Sequence, residues 1–436
     1  MNRNGSVYRH RRFRLLGTIL AVVAIGSVIA VVPPGTSPGA SAASSVRGVT
    51  NNQIVIGGLT YAQSWPGLAN GAEARFAQVN RSGGIAGRKI KFIGALDDGG
   101  SAATNLANAQ QLVEKDGVFA VSPVTSENFQ SSTAAFLNNN HTPYVGWGPF
   151  PGFCLPNKYG YSWAGCEIGT FLGLPGASYG VGTYELIAKL LKKPIKGLKL
   201  AFVFNDNGPG HASGSSIVSL VSALGANASV EYVPASGGAT VDFSPYVADL
   251  VRSNPAAIVV FTDLVTVTEM TPALKAGGWT GPIVNGVGYL PGQLKSQPAL
   301  AQELNDSYAL STVPPNVDGG PELAQITKDF KAIHQTPDLG NAAQIGFYSA
   351  DLLVQILEKV GRNLTQARFQ KVASTFTYSP SNGKYGTITN VTYPAAYTGP
   401  DTSCAAIVET VGTSIKHAVP WTCTKNLPAS AVKTGS

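Results

Sequence analysis

From Gln53 onward the chain alternates between two hydrophobic periods. QIVIGGLT (53–60) is an apolar run bounded by a turn, the pattern of a strand buried on both faces. Residues 69–80 follow with Ala69, Ala72, Phe76 and Val79 on one helical face. NRSGGIAG (80–87) is a glycine-rich turn, and IKFIGAL is a second strand ending on Asp97-Asp98. A helix over 102–115 turns Leu106, Ala109, Leu112 and Val113 inward. VFAVSPV is a third strand, 127–138 a third helix and PYVGW a fourth strand. After a loop at 150–178 a second series begins. It runs helix 181–193, strand LKLAFVFN, helix 212–224, strand 228–233, helix 243–253, strand AAIVVFT, helix 265–277 and strand PIVNG. Later helices are predicted over 322–335 and 342–361, the second with Ile345, Leu352, Leu353, Ile356 and Val360 on one stripe. YGTITNVTY and CAAIVETV read as strands, and the last ten residues as a tail.

Strands that alternate with helices predict the α/β class, here as two doubly wound lobes whose parallel sheets are covered on both faces. In open parallel sheets a ligand sits beyond the carboxyl ends of the strands. Two such lobes facing each other would line one cleft. The loops at those ends are rich in hydroxyls, aromatics and glycine: TYAQSW (60–65), VTSEN (124–128), GWGPF (146–150), NDNGPGH (205–211), TDLVT (262–266) and NGVGY (285–289).

Charge sharpens this picture. The 436 residues are 44% hydrophobic and 13% charged, about half the usual ~25% charged content, which argues against a nucleic-acid surface or a coiled coil. The net charge of +7 falls to +2 once Arg3, Arg9, Arg11, Arg12 and Arg14 are set aside, so the body has no basic character that would imply nucleic acid or an anionic membrane. Those arginines precede Leu15–Val32, 18 residues without a charge, and then Ala40-Ser41-Ala42. A basic region, an apolar core and an A-x-A site predict a signal peptide over 1–42, with an uncleaved anchor as the alternative. Arg11-Arg12 also fits a twin-arginine signal. The body is therefore expected to be exported, to a bacterial periplasm or cell envelope. Cys154, Cys166, Cys404 and Cys423 allow three pairings; Cys154–Cys166 and Cys404–Cys423 are favoured because each closes a short loop, with free buried thiols as the alternative.

Several segments resemble one family. QIVIGGLT, NGAEARFAQVNRSGGIAGRKIKFIGALDD, VDFSPYVADLVRSNPAAIVVF and LKAGGWTGPI are similar to the type I periplasmic binding proteins, in the leucine/isoleucine/valine-binding and amide-binding branch that feeds ABC importers. The likeness runs from about residue 52 to 290 and more thinly to 400. It implies two lobes joined by three crossovers and closing on a ligand. The expected partition is 46–168 plus 288–372 for lobe 1, 169–287 plus 373–425 for lobe 2, and a tail at 426–436.

The resemblance also implies site residues. A family serine after the third strand holds the ligand carboxylate, and Ser126 stands there with Thr125 beside it. Ser126 could equally cap the following helix, and the two roles are compatible. Other positions depart from the amino-acid binders. Their second hydroxyl falls near Pro149 and Phe150, their second-lobe aromatic near Gly210 and His211, and the next aromatic near Asp263. Their ammonium-pairing glutamate falls near Val287 and Gly288. Asp263 either replaces that carboxylate or caps the next helix. Trp65, Trp147, Gly148, Phe150 and Tyr289 complete the candidate contacts, and the aromatics among them point to an apolar or aromatic amino acid, carboxylate or amide.

Other chemistry is weaker. GASYG (176–180) fits G-x-S-x-G, but its approach, TFLGLP, is a poor strand; Asp263 and His334 would follow in hydrolase order. GPGHASG (208–214) has the wrong spacing for a dinucleotide loop, and the five histidines are scattered, so neither cofactor nor metal is expected. Asp97-Asp98 reads as a solvated capping and turn feature before Ser101. The expected function is solute capture by a monomer that delivers a small organic solute to a membrane permease, not catalysis. A sensor of the same fold acting on a receptor is the alternative, and a secreted serine hydrolase a remote one.

Overall fold

A computed structural model describes residues 46–148, 150–154, 157–166, 178–236, 241–380, 391–393 and 402–432. The signal over 1–42 lies outside the described residues. The first sheet contains β1 (Gln53–Thr60), β2 (Lys89–Asp97), β3 (Ala120–Thr125), β4 (Tyr144–Gly146) and β5 (Gly160–Ser162), all parallel, in the order β2-β1-β3-β4-β5. The helices α1 (Leu68–Arg81), α2 (Ala102–Gln110) and α3 (Ser131–Asn139) connect its strands. The register sets Thr60 against Asp97 and against Thr125, so three strands end side by side.

A two-residue strand β6 (Ser178–Tyr179) and α4 (Gly182–Leu190) lead into the second series. It contains β7 (Lys199–Asn205), α5 (Gly208–Ala223), β8 (Asn227–Val233), α6 (Ser244–Ser253), β9 (Ala257–Phe261), α7 (Leu264–Ala276) and β10 (Ile283–Asn285). Two short helices, α8 (Pro291–Ser296) and α9 (Pro298–Leu304), lead to β11 (Tyr308–Ser311), which pairs parallel with β10. The chain then forms α10 (Pro321–Lys331), α11 (Asn341–Val360), α12 (Gln366–Ala373) and the small pair β12 (Thr377–Tyr378) and β13 (Val391–Thr392). A hairpin, β14 (Thr402–Val411) and β15 (Ser414–Lys425), completes the second sheet antiparallel, in the order β15-β14-β11-β10-β9-β7-β8. The final strand, β16 (Leu427–Pro428), pairs with β6.

The expected α/β architecture is present, and the lobe edges fall elsewhere than expected. β11 belongs to the second sheet, so the return to the first layer comes between 311 and 321 rather than at 288. The cause is one more βαβ unit, whose two proline-started helices are too short to show an amphipathic period. Residues 377–380 and 391–393 belong with the first layer, because buried Tyr378 and Tyr393 join its core and Tyr393 donates to the Ser162 carbonyl. Nor are residues 426–432 a loose tail: Ser403 Oγ donates to Asn426 Oδ1 at 2.7 Å, and buried Val432 joins the second core. Both favoured disulfides are formed, and Cys404 and Cys423 stand directly opposite on β14 and β15.

The first layer is held by α11, which is buried from Asn341 through Leu357 and crosses α1 at two glycines. A Cβ on Gly71 would lie 1.8 Å from the Ala343 carbonyl oxygen, and one on Gly346 1.9 Å from that of Leu68. Beneath the crossing Arg75 Nε donates to Asp351 Oδ1 at 2.8 Å, and Tyr378 and Gln355 donate to Oδ2. Alanine usually stabilises a helix over glycine by about 1 kcal/mol. Gly71→Ala is expected to do the reverse, lowering unfolding free energy by about 1–3 kcal/mol through overpacking. Chemical denaturation checks the sign; a stabilised variant would refute the backbone-to-backbone crossing.

Candidate functional site

Strand order reverses beside one strand in each sheet. In the first, β1 lies between β2 and β3; in the second, β7 lies between β8 and β9. The loops that leave neighbouring strand ends part to opposite faces there and leave a crevice. In the first crevice the Trp65 indole Nε1 donates to Glu127 Oε1 at 3.0 Å, joining the loops after β1 and β3. In the second, Asn205 Nδ2 donates to Asp263 Oδ2 at 3.0 Å, joining the loops after β7 and β9. Each crevice thus presents one carboxylate, held by a donor from the adjacent strand end.

Asp98 organises the first rim. It is buried, and its carboxylate accepts from Gly100 N (3.0 Å), Asn105 Nδ2 (2.9 Å), Asn128 Nδ2 (3.0 Å) and Ser126 Oγ. Ser126 therefore commits its one hydroxyl hydrogen to Asp98 while accepting Asn128 N–H at 3.0 Å. It caps its own turn, whereas α3 starts later, at Ser131. Both aspartates serve the expected turn, exposed Asp97 accepting from Ala62 N and Gly99 N and Asp98 from Gly100 N, but Asp98 is buried rather than solvated. The Thr125 hydroxyl is also committed, to the carbonyls of Val124 (2.8 Å) and Trp147 (3.2 Å).

Of the expected aromatics, Trp65 is buried in the first core and partly buried Trp147 packs against it. Trp65 and Trp147 meet edge to face with ring centroids 5.5 Å apart, and Trp163 stacks on Trp147 at 6.2 Å. Gly148, at φ 142°, adopts a conformation other residues rarely take, and the Phe150 ring occupies the space a Cβ would need. Phe150 packs with Phe129 and Phe153 in the lobe's aromatic core rather than beside the tryptophans. Pro149 lies outside the described residues.

In the second lobe Asp263 does two jobs. It caps α7 by accepting Thr266 N (3.0 Å) and Thr266 Oγ1 (2.8 Å), and it anchors Asn205. His211 is exposed at the edge strand β8, where its ring lies 3.9 Å from that of Tyr232 and Nε2 meets Asp206 Oδ1 at 2.7 Å. Tyr289 is a correction: it is fully buried, its hydroxyl accepting Asn316 N–H at 2.6 Å and reaching Asn316 Oδ1, so it braces the crossover after β11 and offers no surface to a solute. In GASYG, Gly176 and Ala177 lie outside the described residues; Ser178 belongs to β6, outside both main sheets, where a nucleophile elbow would need a central strand. The glycines of GPGHASG serve the start of α5: Asn207 caps it, and a Cβ on Gly210 would lie 2.0 Å from the Asn205 carbonyl oxygen.

Glu127, Tyr61, Asp98 and Asn205 carry more of the site than the sequence reading assigned them. Glu127 is exposed, yet desolvation pushes its pKa up to about 7, with Asp263 and Asp98 adding to the rise and its bond from Trp65 opposing it. A side chain that water reaches but protein surrounds stands inside a concavity. Tyr61 is raised too, first by burial and then by Asp263, Glu127, Asp98 and Asp97. Carboxylates of both lobes therefore lie within electrostatic reach of Glu127 and Tyr61. Among the described residues, no group of three His, Cys, Asp or Glu side chains could hold a metal ion.

A family model described as periplasmic binding protein matches residues 56–411. No curated protein matches the chain in sequence. Among solved structures, the fatty acid ABC transporter substrate-binding protein from Thermomonospora curvata superposes with a TM-score of 0.65 at 19% identity, covering 87% of this chain and 94% of that one. The branched-chain amino acid transporter substrate-binding protein LivJ from Streptococcus pneumoniae, in complex with isoleucine, gives 0.65 at 16% identity over 86% and 100%. The leucine-binding protein LivK from Thermotoga maritima gives 0.63 at 13% over 84% and 97%. At these identities the likeness establishes the fold.

Two predictions follow from the rim. Ser126→Ala removes a donor from a buried carboxylate and is expected to lower unfolding free energy by about 1–3 kcal/mol. Unchanged denaturant stability with weakened solute binding would instead return Ser126 to the ligand. The raised Glu127 carboxyl keeps its proton in the native state at pH values where the unfolded chain has lost it, so its contribution favours folding at low pH and fades as pH rises through about 7. Glu127→Gln is therefore expected to gain stability relative to the parent protein between about pH 5 and 7.5. A difference that stays flat across that range would contradict the crowding of Glu127.

Proposed function

On the premise that this chain belongs to the periplasmic binding protein family, we propose that it is the extracytoplasmic solute-binding component of an ABC importer. The observation that carries the reading is the pair of crevices, with Glu127 on one lobe and Asp263 on the other within electrostatic reach of each other. A solute that touches both lobes stabilises the closed arrangement over the open one, which is how capture becomes a signal to a membrane permease. The neighbours named for fatty acid and for bound isoleucine support a small organic solute as cargo. The leader over 1–42 supports export, and among the described residues no helix is long and apolar enough to cross a membrane. The protein acts as a monomer before it docks on the permease.

Catalysis is not part of this reading. Asp263 is engaged by Thr266 and Asn205 rather than by a histidine, so it does not serve as the acid of a serine–histidine–acid triad. A thermal-shift panel of aliphatic and aromatic amino acids, aromatic acids, amides, amines and sugars tests capture. A true solute at 100 times its dissociation constant adds about 2.7 kcal/mol to stability, enough to raise Tm by a few degrees. A folded protein whose Tm no member of the panel moves would count against it.

A further inference from the structure

The solute's charge is decided by the side chains that the cleft presents. The two hydroxyls that the resemblance assigns to a ligand carboxylate are committed, Ser126 to Asp98 and Thr125 to backbone carbonyls. Each crevice instead offers a carboxylate. None of the ion pairs among the described residues involves Asp98, Glu127 or Asp263. Beside Glu127 stands the Trp65–Trp147 pair, whose ring faces attract cations. Two buried hydroxyls at the end of β1, Thr60 Oγ1 (residue 5% exposed) and Ser64 Oγ (2%), have no partner among the described residues, and a hydroxyl accepts from an N–H as readily as it donates. The Trp163 N–H, a donor only, is also unpartnered, in a ring packed against Trp147 and Tyr348, and takes no part in holding a cation.

We infer that the cleft takes a cationic solute, an amine or quaternary ammonium on an apolar body that carries no carboxylate of its own, clasped by Glu127 from one lobe and Asp263 from the other with the Trp65–Trp147 pair against the body. This rests on the capture reading. An anion would enter a site of uncompensated negative charge, and a zwitterion would pair its ammonium but bring its carboxylate beside Asp98 and Glu127. The same electrostatics would gate closure. As the lobes approach, Glu127 and Asp263 repel, and a cation between them turns that repulsion into two attractions.

The test is calorimetric titration of the purified full chain with four probes that share a phenyl ring: phenethylamine, benzyltrimethylammonium, phenylacetate and phenylalanine. The two cations are expected to bind, phenylacetate to give no heat, and phenylalanine to bind at least about tenfold more weakly than phenethylamine. Glu127→Gln and Asp263→Asn should each weaken the cations about tenfold or more, with circular dichroism confirming the fold; asparagine keeps the oxygen that caps α7. Phenylacetate or phenylalanine binding as tightly as phenethylamine overturns the charge assignment and leaves capture standing. Cation binding that neither substitution weakens overturns it as well, because the cation would then lie elsewhere. Silence from all four probes in a protein that responds to an uncharged or anionic member of the wider panel has the same meaning, whereas silence across both sets removes the capture reading itself.

Discussion

A parallel strand can join a sheet only through a crossover that carries the chain back to the sheet's starting edge, so the parallel strands of a lobe deliver their next loops at one edge. This constraint places the site. Thr60, Asp97 and Thr125 end together on the first sheet, and the loops after β7 and β9 meet on the second. Loops distant in sequence become neighbours there, as with Trp65 and Glu127 or Asn205 and Asp263. Where the strand order reverses, the loops diverge and leave room for a solute. The chemistry of the cleft is then a matter of which side chains happen to stand at two strand ends in each lobe.

Such loops are soft unless something fixes them, and the buried Asp98 carboxylate does so on the first lobe. It gathers donors from the start of α2 and from the loop after β3. A buried carboxylate is tolerable only when its lone pairs are met, so each of these donors is held as firmly as the acid itself. The arrangement has a consequence for recognition. A hydroxyl that must satisfy a buried acid is not free to greet an acid arriving from outside, and Ser126 is consequently a support for the rim.

Much of the fold could be read from the sequence, because burial on both faces of a parallel sheet leaves continuous apolar runs and amphipathic helices between them. β1, β7 and β9 and the helices α1, α6, α7 and α11 fall close to their expected limits. α8, α9 and α12 did not show, since each spans only about two turns, too little for a period to emerge. The site was harder to read, for one physical reason. Two adjacent aspartates look alike in a sequence, but the strand pleat sends Asp97 outward, while Asp98 is received by Asn105, Ser126 and Asn128. Tyr289 failed in the opposite sense: an aromatic in a strand-end loop looked like a wall, and its hydroxyl instead found Asn316 in the crossover. Glu127 lay within a loop already marked as a cleft edge, but its raised pKa comes first from burial and then from Asp263 and Asp98, surroundings with no local sequence signal.

The stability of the two layers and the softness of the cleft belong together. α11 buries Gln344, Ser349, Asp351 and Gln355 along with its apolar stripe, and Arg75 and Tyr378 hold Asp351. Breaking such a buried pair leaves an uncompensated charge and costs about 3–5 kcal/mol, so the first layer has little freedom to shear. The backbone crossing at Gly71 and Gly346 removes the rest. Motion is left to the passage between layers from β11 to α10 and to the rims. A rigid lobe with like charges on its rim cannot relax by rearranging internally. It relieves the repulsion by moving away from the other lobe, by keeping a proton on Glu127, or by holding a positive charge between Glu127 and Asp263, and only the last of these adds an attraction that draws the cleft closed.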